Sequence, residues 1–185
     1  MIDLSAAAET VAEQLLGSEI VREIQGHRIV GRIVETEAYD QFDAASHSYR
    51  GRTPRTEVMF GPPGRAYVYF TYGRHFCMNV VTGPDGYGSA VLIRALEIVE
   101  GLALARTYRP RAGSDLLLAN GPAKLCQALN IGRELNGHDL SLAPLMLRLH
   151  APLPGVMIRR STRIGISKDT ARLWRFSIIG NRYVS

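Results

Sequence analysis

The chain has 185 residues, 46% hydrophobic and 21% charged, the balance of a globular protein large enough to bury roughly 70% of its unfolded surface as one domain. Its net charge of +5 and pI near 9.5 suit a polyanionic partner. Two cysteines, an N-terminal stretch without the basic start of a signal peptide, and no apolar run near the ~20 residues that span a bilayer make a reduced, cytoplasmic, membrane-free protein the expectation.

Ala8, Val11, Ala12, Leu15 and Leu16 recur at helical spacing, with Ser5 as the expected cap and Gly17 as the stop. EIVREI and RIVGRIVETEAY then read as strands broken near Gly26 and Gly31. Residues 40–64 are polar and rich in Gly, Pro and Arg, a long loop of the kind that is usually functional. Strands return with AYVYFTYG, FCMNVVTG and SAVLIRALEIV, the last two joined by GPDGYG as a hairpin connection. After the polar TYRPRAGSD comes a helical PAKLCQALNI with Pro122 in its first turn. LSLAPLMLRL, RIGIS and WRFSIIGNRYVS are expected as further strands. Strands outnumber helices without alternating with them, which predicts an α+β fold.

Three stretches bear on chemistry. In GRIVETEAY, strict alternation puts Ile33, Glu35 and Glu37 on one face. A strand glutamate is commonly solvated, but this strand feeds a basic loop, where a carboxylate repels phosphate unless it has a task such as deprotonating a water. The loop carries His47, Arg50, Arg52 and Arg55 beside Tyr49, a set suited to phosphate contacts. Twenty arginines against two lysines favour forked phosphate recognition, although a GC-rich genome yields the same skew. In YVYFTYG, Tyr67, Tyr69 and Thr71 share a face and Tyr72 ends the strand beside Gly73. That is either a half-buried strand or an aromatic tip aimed at a stack of bases. The five histidines are scattered without metal spacing, and no phosphate loop or nucleophile elbow is present. Residues alone leave a nucleic-acid enzyme and a non-catalytic binding module both open. A carbohydrate glycosidase using Glu35 and Glu37 is disfavoured, because same-face carboxylates do not flank a substrate.

GRIVETEAY, DAASHSYRGRTPR, VMFGPPGRAYVYFTYGRHFCMNVV, VLIRALEIVEG, GPAKLCQAL and RIGIS…WRFSIIGNRYVS, in this order, resemble the alkyladenine (methylpurine) DNA glycosylase family over essentially the whole chain. Thr162 departs from the family's proline, at a position expected to lie far from the active-site blocks. The resemblance implies one domain over residues 1–185 with a curved antiparallel sheet and a protruding hairpin, acting as a cofactor-free monomer on damaged purines in double-stranded DNA. It implies Glu37 as general base, and Arg94 as a ligand of the water and the DNA backbone. His47 would contact the water site and the nearby phosphate or sugar. Tyr39 and Tyr69 would line the base pocket, Asn79 would exclude the guanine amine, and Tyr72 would wedge into the space left by the flipped nucleotide. Glu35 carries no implied role and is read as structural or solvated, and Tyr67 as sheet packing. Lys168 and the Met1 amine belong to no block tied to the pocket, and Lys124, on the first turn of the GPAKLCQAL helix, is read as a phosphate contact or a solvated charge, so hydrolysis by water alone is expected.

Overall fold

The first apolar repeat forms helix α1 (Ala8–Gln14), followed by strands β1 (Glu19–Ile24) and β2 (His27–Tyr39) in a computed structural model that describes residues 2–71, 73, 75–151 and 155–185. Then come β3 (Ala66–Thr71), β4 (His75–Val81), β5 (Ala90–Glu100), α2 (Leu102–Tyr108), α3 (Pro122–Ala128), β6 (Leu145–Arg148), β7 (Ile158–Ser161) and β8 (Arg175–Ile178). All strand pairs are antiparallel, in the order β3-β4-β5-β2-β1-β6. The long β2 organises the sheet. It pairs with β5 along one edge, and its other edge is shared between β1 at the start and β8 at the end, with β7 beyond β8. The molecule is α+β, a curled antiparallel sheet with helices on one side.

One face of the sheet is apolar and covered by helices. Ala66, Val68, Met78, Val80, Val91 and Ile93 pack with Val11, Ala12 and Leu15 of the α1 region and Leu125, Cys126 and Leu129 of the α3 region, all at most 4% exposed. The period-two alternation sends Tyr67, Tyr69, Cys77, Asn79 and Leu92 to the opposite face, where they line a cavity.

Several elements depart from expectation. Ser5 does not cap α1: its amide and hydroxyl both turn back to Asp3 Oδ1 (2.9 and 2.7 Å), so the helix starts at Ala8 without a side-chain cap. β2 runs through Gly31 as one strand, but its register with β5 shifts between Val30 and Gly31; a side chain at Gly31 would meet Leu96 at 2.7 Å, and glycine lets β5 approach. Helix α2, opened by Gly101 in the left-handed region (φ 75°), buries only Ala105 and so carries almost no periodic signal. Of LSLAPLMLRL only Leu145–Arg148 pairs, and β7 joins the sheet where no strand was expected. RIGIS is no strand: the Ile164 amide is spent on a side chain, as described below.

Candidate active site

A cavity of about 340 Å³ opens on the polar face of the sheet, walled by Tyr39, His47, Tyr67, Tyr69, Asn79 and Arg94, among others. Its arrangement depends on two opposed irregularities. Along the β2–β5 pairing Ile33 faces Leu96 and Glu35 faces Ala95, so Val34 is extra; Thr36 then faces Ile93, so Arg94 is extra on β5. Such bulges reverse side-chain parity and re-aim side chains. Ile33 therefore falls in the core with Ala38, and the Thr36 hydroxyl bonds the Ala12 carbonyl of α1 (2.7 Å). Ile33 does not share a face with Glu35 and Glu37, as unbroken alternation predicts. The bulge on β5 turns Arg94 into the space between the two acids.

Glu37 is fully buried and held by three donors. Tyr39 Oη donates to Oε2 at 2.9 Å, the Ile164 amide donates to Oε1 at 2.8 Å, and Arg94 Nη1 lies 3.2 Å from Oε1. A carboxylate has about four lone-pair positions, so one direction remains for a further donor. Burial first, then the Glu37 charge, raises the Tyr39 phenol well above its ordinary range and keeps it a proton donor. Glu35 is not solvated: it too is fully buried, and accepts from Arg94 Nε (3.0 Å), Arg175 Nε (2.5 Å) and the Ser185 amide (2.7 Å). Burial pushes its carboxyl up, but the Ser185, Arg175 and Arg94 donors outweigh it and leave it below the usual value.

The far wall is built by the 40–64 loop. His47 Nδ1 lies 3.0 Å from the Tyr67 hydroxyl, the ring stands edge-on to Tyr69 (centroids 4.6 Å apart), and Arg55 Nη2 reaches Nε2 at 3.5 Å. A guanidinium only donates, so Nε2 accepts and Nδ1 carries the proton. Burial, then the Arg55 charge, pushes the imidazole pKa down to about 4.

A model of the methylpurine-DNA glycosylase (MPG) family matches residues 3–182. A protein of Carboxydothermus hydrogenoformans is 52% identical over 95% of this chain and 92% of its own length. One of Methanoculleus marisnigri is 51% identical over 95% and 92%, and one of Streptomyces avermitilis 49% over 95% and 84%. Each is named "Putative 3-methyladenine DNA glycosylase". The chain belongs to the methylpurine-DNA glycosylase family. It is thereby a DNA-repair enzyme that hydrolyses N-glycosyl bonds.

The structure brings Tyr39, His47, Tyr69, Asn79 and Arg94 around one cavity, with Glu37 buried behind its wall and paired to Arg94. Asn79, 5% exposed, donates from Nδ2 to the Tyr67 carbonyl at 3.0 Å, which fixes its amide plane. Arg50 and Arg55 border a second hollow, with Lys168, that shares His47 and Gly165 with the first. Lys168 thus adjoins the site, contrary to expectation. Arg52 turns instead to Glu57 (3.1 Å) and the Phe60 ring. Tyr72 lies outside the described residues.

Sequence reasoning missed the segment after Thr162, which is not remote. Arg163 stacks on the Tyr39 ring (4.6 Å to its centroid), forms a buried ion pair with Asp43 and bonds the Ala38 carbonyl; Ile164 holds Glu37; Gly165 lines the cavity. The RIGIS block itself was visible, but its link to Glu37 spans 127 residues and has no local signature. Tyr67 packs in the sheet as expected and also orients His47.

Proposed function

We propose that this enzyme, as a single domain over residues 1–185 and as a monomer, excises alkylated or deaminated purines of the 3-methyladenine, 7-methylguanine, hypoxanthine and ethenoadenine class from duplex DNA. The observation that carries this reading is the buried Glu37 carboxylate, one acceptor direction free, behind a cavity walled by stacking aromatics. Bases extruded from a duplex are read by such stacking. Tyr39 and Tyr69 would sandwich the flipped base, and Asn79 would meet its edge and discriminate against the guanine amine. Glu37 takes a proton from water; the water oxygen bonds to C1′ as the C1′–N bond breaks, and the bond electrons leave with the base. Positive charge gathers on the sugar in such a transition state, and a nearby carboxylate stabilises it. His47 and Arg94 would contact the water site and neighbouring backbone, with Arg50 and Arg55 steering phosphates. Tyr72, between β3 and β4, would fill the gap left by the base.

The test is base release from duplexes that each carry one lesion. Glu37→Gln preserves shape and removes the base, so excision is expected to fall about 10² to 10⁴-fold while lesion-DNA binding persists. Turnover near wild type would overturn the assignment.

A further inference from the structure

The network behind the cavity contains one acid that the reaction as proposed does not use. Glu35 is completely buried, as deeply as Glu37, and the two meet through a single guanidinium. Arg94 has all three nitrogens engaged: Nε to Glu35 Oε1 at 3.0 Å, Nη1 to Glu37 Oε1 at 3.2 Å, and Nη2 to the Ser185 hydroxyl at 3.2 Å. A planar guanidinium has few orientations that satisfy three acceptors at once. The bulge that frees Arg94 from a cross-strand partner gives its side chain no other constraint from the sheet. Its aim is therefore set by Glu35 and Ser185.

We infer that Glu35 is a positioning residue for hydrolysis: it holds Arg94 side-on to Glu37, so that the base shares the guanidinium and does not capture it. The inference rests on Glu37 being the base. Without Glu35, Arg94 is free to turn both ends of its fork onto Glu37, a stronger pairing that would occupy the remaining acceptor direction and hold the carboxylate ionised but unreactive. Arg175 completes the balance. It reaches Glu35 from β8 at 2.5 Å, giving two acids and two guanidiniums in one closed cluster. Around Glu37 the other groups are Tyr39 on its own strand and Arg163 and the Ile164 amide from the loop after β7; across the cavity stand His47, Tyr69 and Cys77.

The experiment is single-turnover excision from one lesion duplex across pH, with DNA affinity measured alongside, for wild type, Glu35→Gln, Glu35→Asp, Arg175→Gln and Glu37→Gln. In Glu35→Gln a negative charge is lost and Arg94 moves onto the base. The acid limb of the rate profile should shift down by about one pH unit, and the plateau rate should fall about tenfold or more at unchanged affinity. Glu35→Asp keeps the charge and should restore most of the shift. Arg175→Gln removes a positive charge from the same cluster and should move the limb upward; it also serves should Glu35→Gln fail to fold. A Glu35→Gln profile superimposable on wild type, or an Arg175→Gln limb that stays or moves down, would overturn the positioning role while Glu37→Gln remains inactive. An active Glu37→Gln would instead remove the reading beneath it.

Discussion

His47 presents one edge to solvent and the other to two tyrosines, and the consequence is a pH dependence of definite sign. Its unfolded pKa is about 6.5 and its folded value is pushed down to about 4. Protonation therefore favours the unfolded chain. The contribution of His47 is fully present above pH 6.5, declines as pH falls, and is gone below about 4. The exposed edge tempers its size. An NMR titration should find the imidazole midpoint near 4, and the stability advantage of wild type over His47→Gln should narrow from pH 7 to pH 4.5. A midpoint near 6.5 would mean that the ring is not held against Tyr67. The distinction between Glu35 and Glu37 belongs to this scale too. Both were visible as acids on a strand entering a basic loop. Both are equally buried, and their partners separate them: Arg175 and Ser185 hold Glu35, Tyr39 and Ile164 hold Glu37, and all of these but Tyr39 lie more than fifty positions away.

At the scale of elements, the 40–64 loop behaves as a docked wall and not as a free connection. Asp40 and Asp43 accept from amides two residues on, Ser46 caps a 3-10 turn through Ser48, and a second such turn covers Glu57–Phe60. Its seat on the β4–β5 connection is Gly88, whose carbonyl accepts from the Ser48 hydroxyl and whose amide donates to Gln41 Oε1. A methyl there would lie 2.6 Å from the buried Phe60 ring and 2.9 Å from Ser48 Cβ. Neither yields easily, so Gly88→Ala is expected to cost about 1–3 kcal/mol, lower Tm, and reduce excision by displacing His47. Unchanged Tm and rate would show that the loop is not seated there. That residues 40–64 matter was legible in their composition and length; where they dock was not, since glycines in turns and glycines at close approaches look alike in sequence.

On the scale of the whole molecule, the question is whether an amine could replace water as the nucleophile. Lys124, on the first turn of α3, donates to Asn120 Oδ1 at 2.8 Å. Lys168 borders the hollow beside the cavity together with Arg50 and Arg55, which suits a phosphate contact and makes it the lysine to watch. Neither lines the base cavity itself. Borohydride is therefore expected to trap no covalent adduct with a lesion duplex, leaving an intact strand with an abasic site. An adduct that disappears with Lys168→Ala would move the nucleophile from water to that lysine.

Composition, strand periodicity and the six ordered blocks determined the fold class, the family and the residues to watch, because alternation and motif order are local properties of the chain. They did not determine which way the acids face. That was decided by two opposed bulges, since a single unpaired residue reverses every side chain beyond it. Nor did they show that Arg163 backs Tyr39, that Ile164 holds Glu37, or that Arg94 joins two buried carboxylates. Desolvated charges require partners wherever the fold supplies them, and here β5, β8 and the loop after β7 converge on β2 only in the folded molecule.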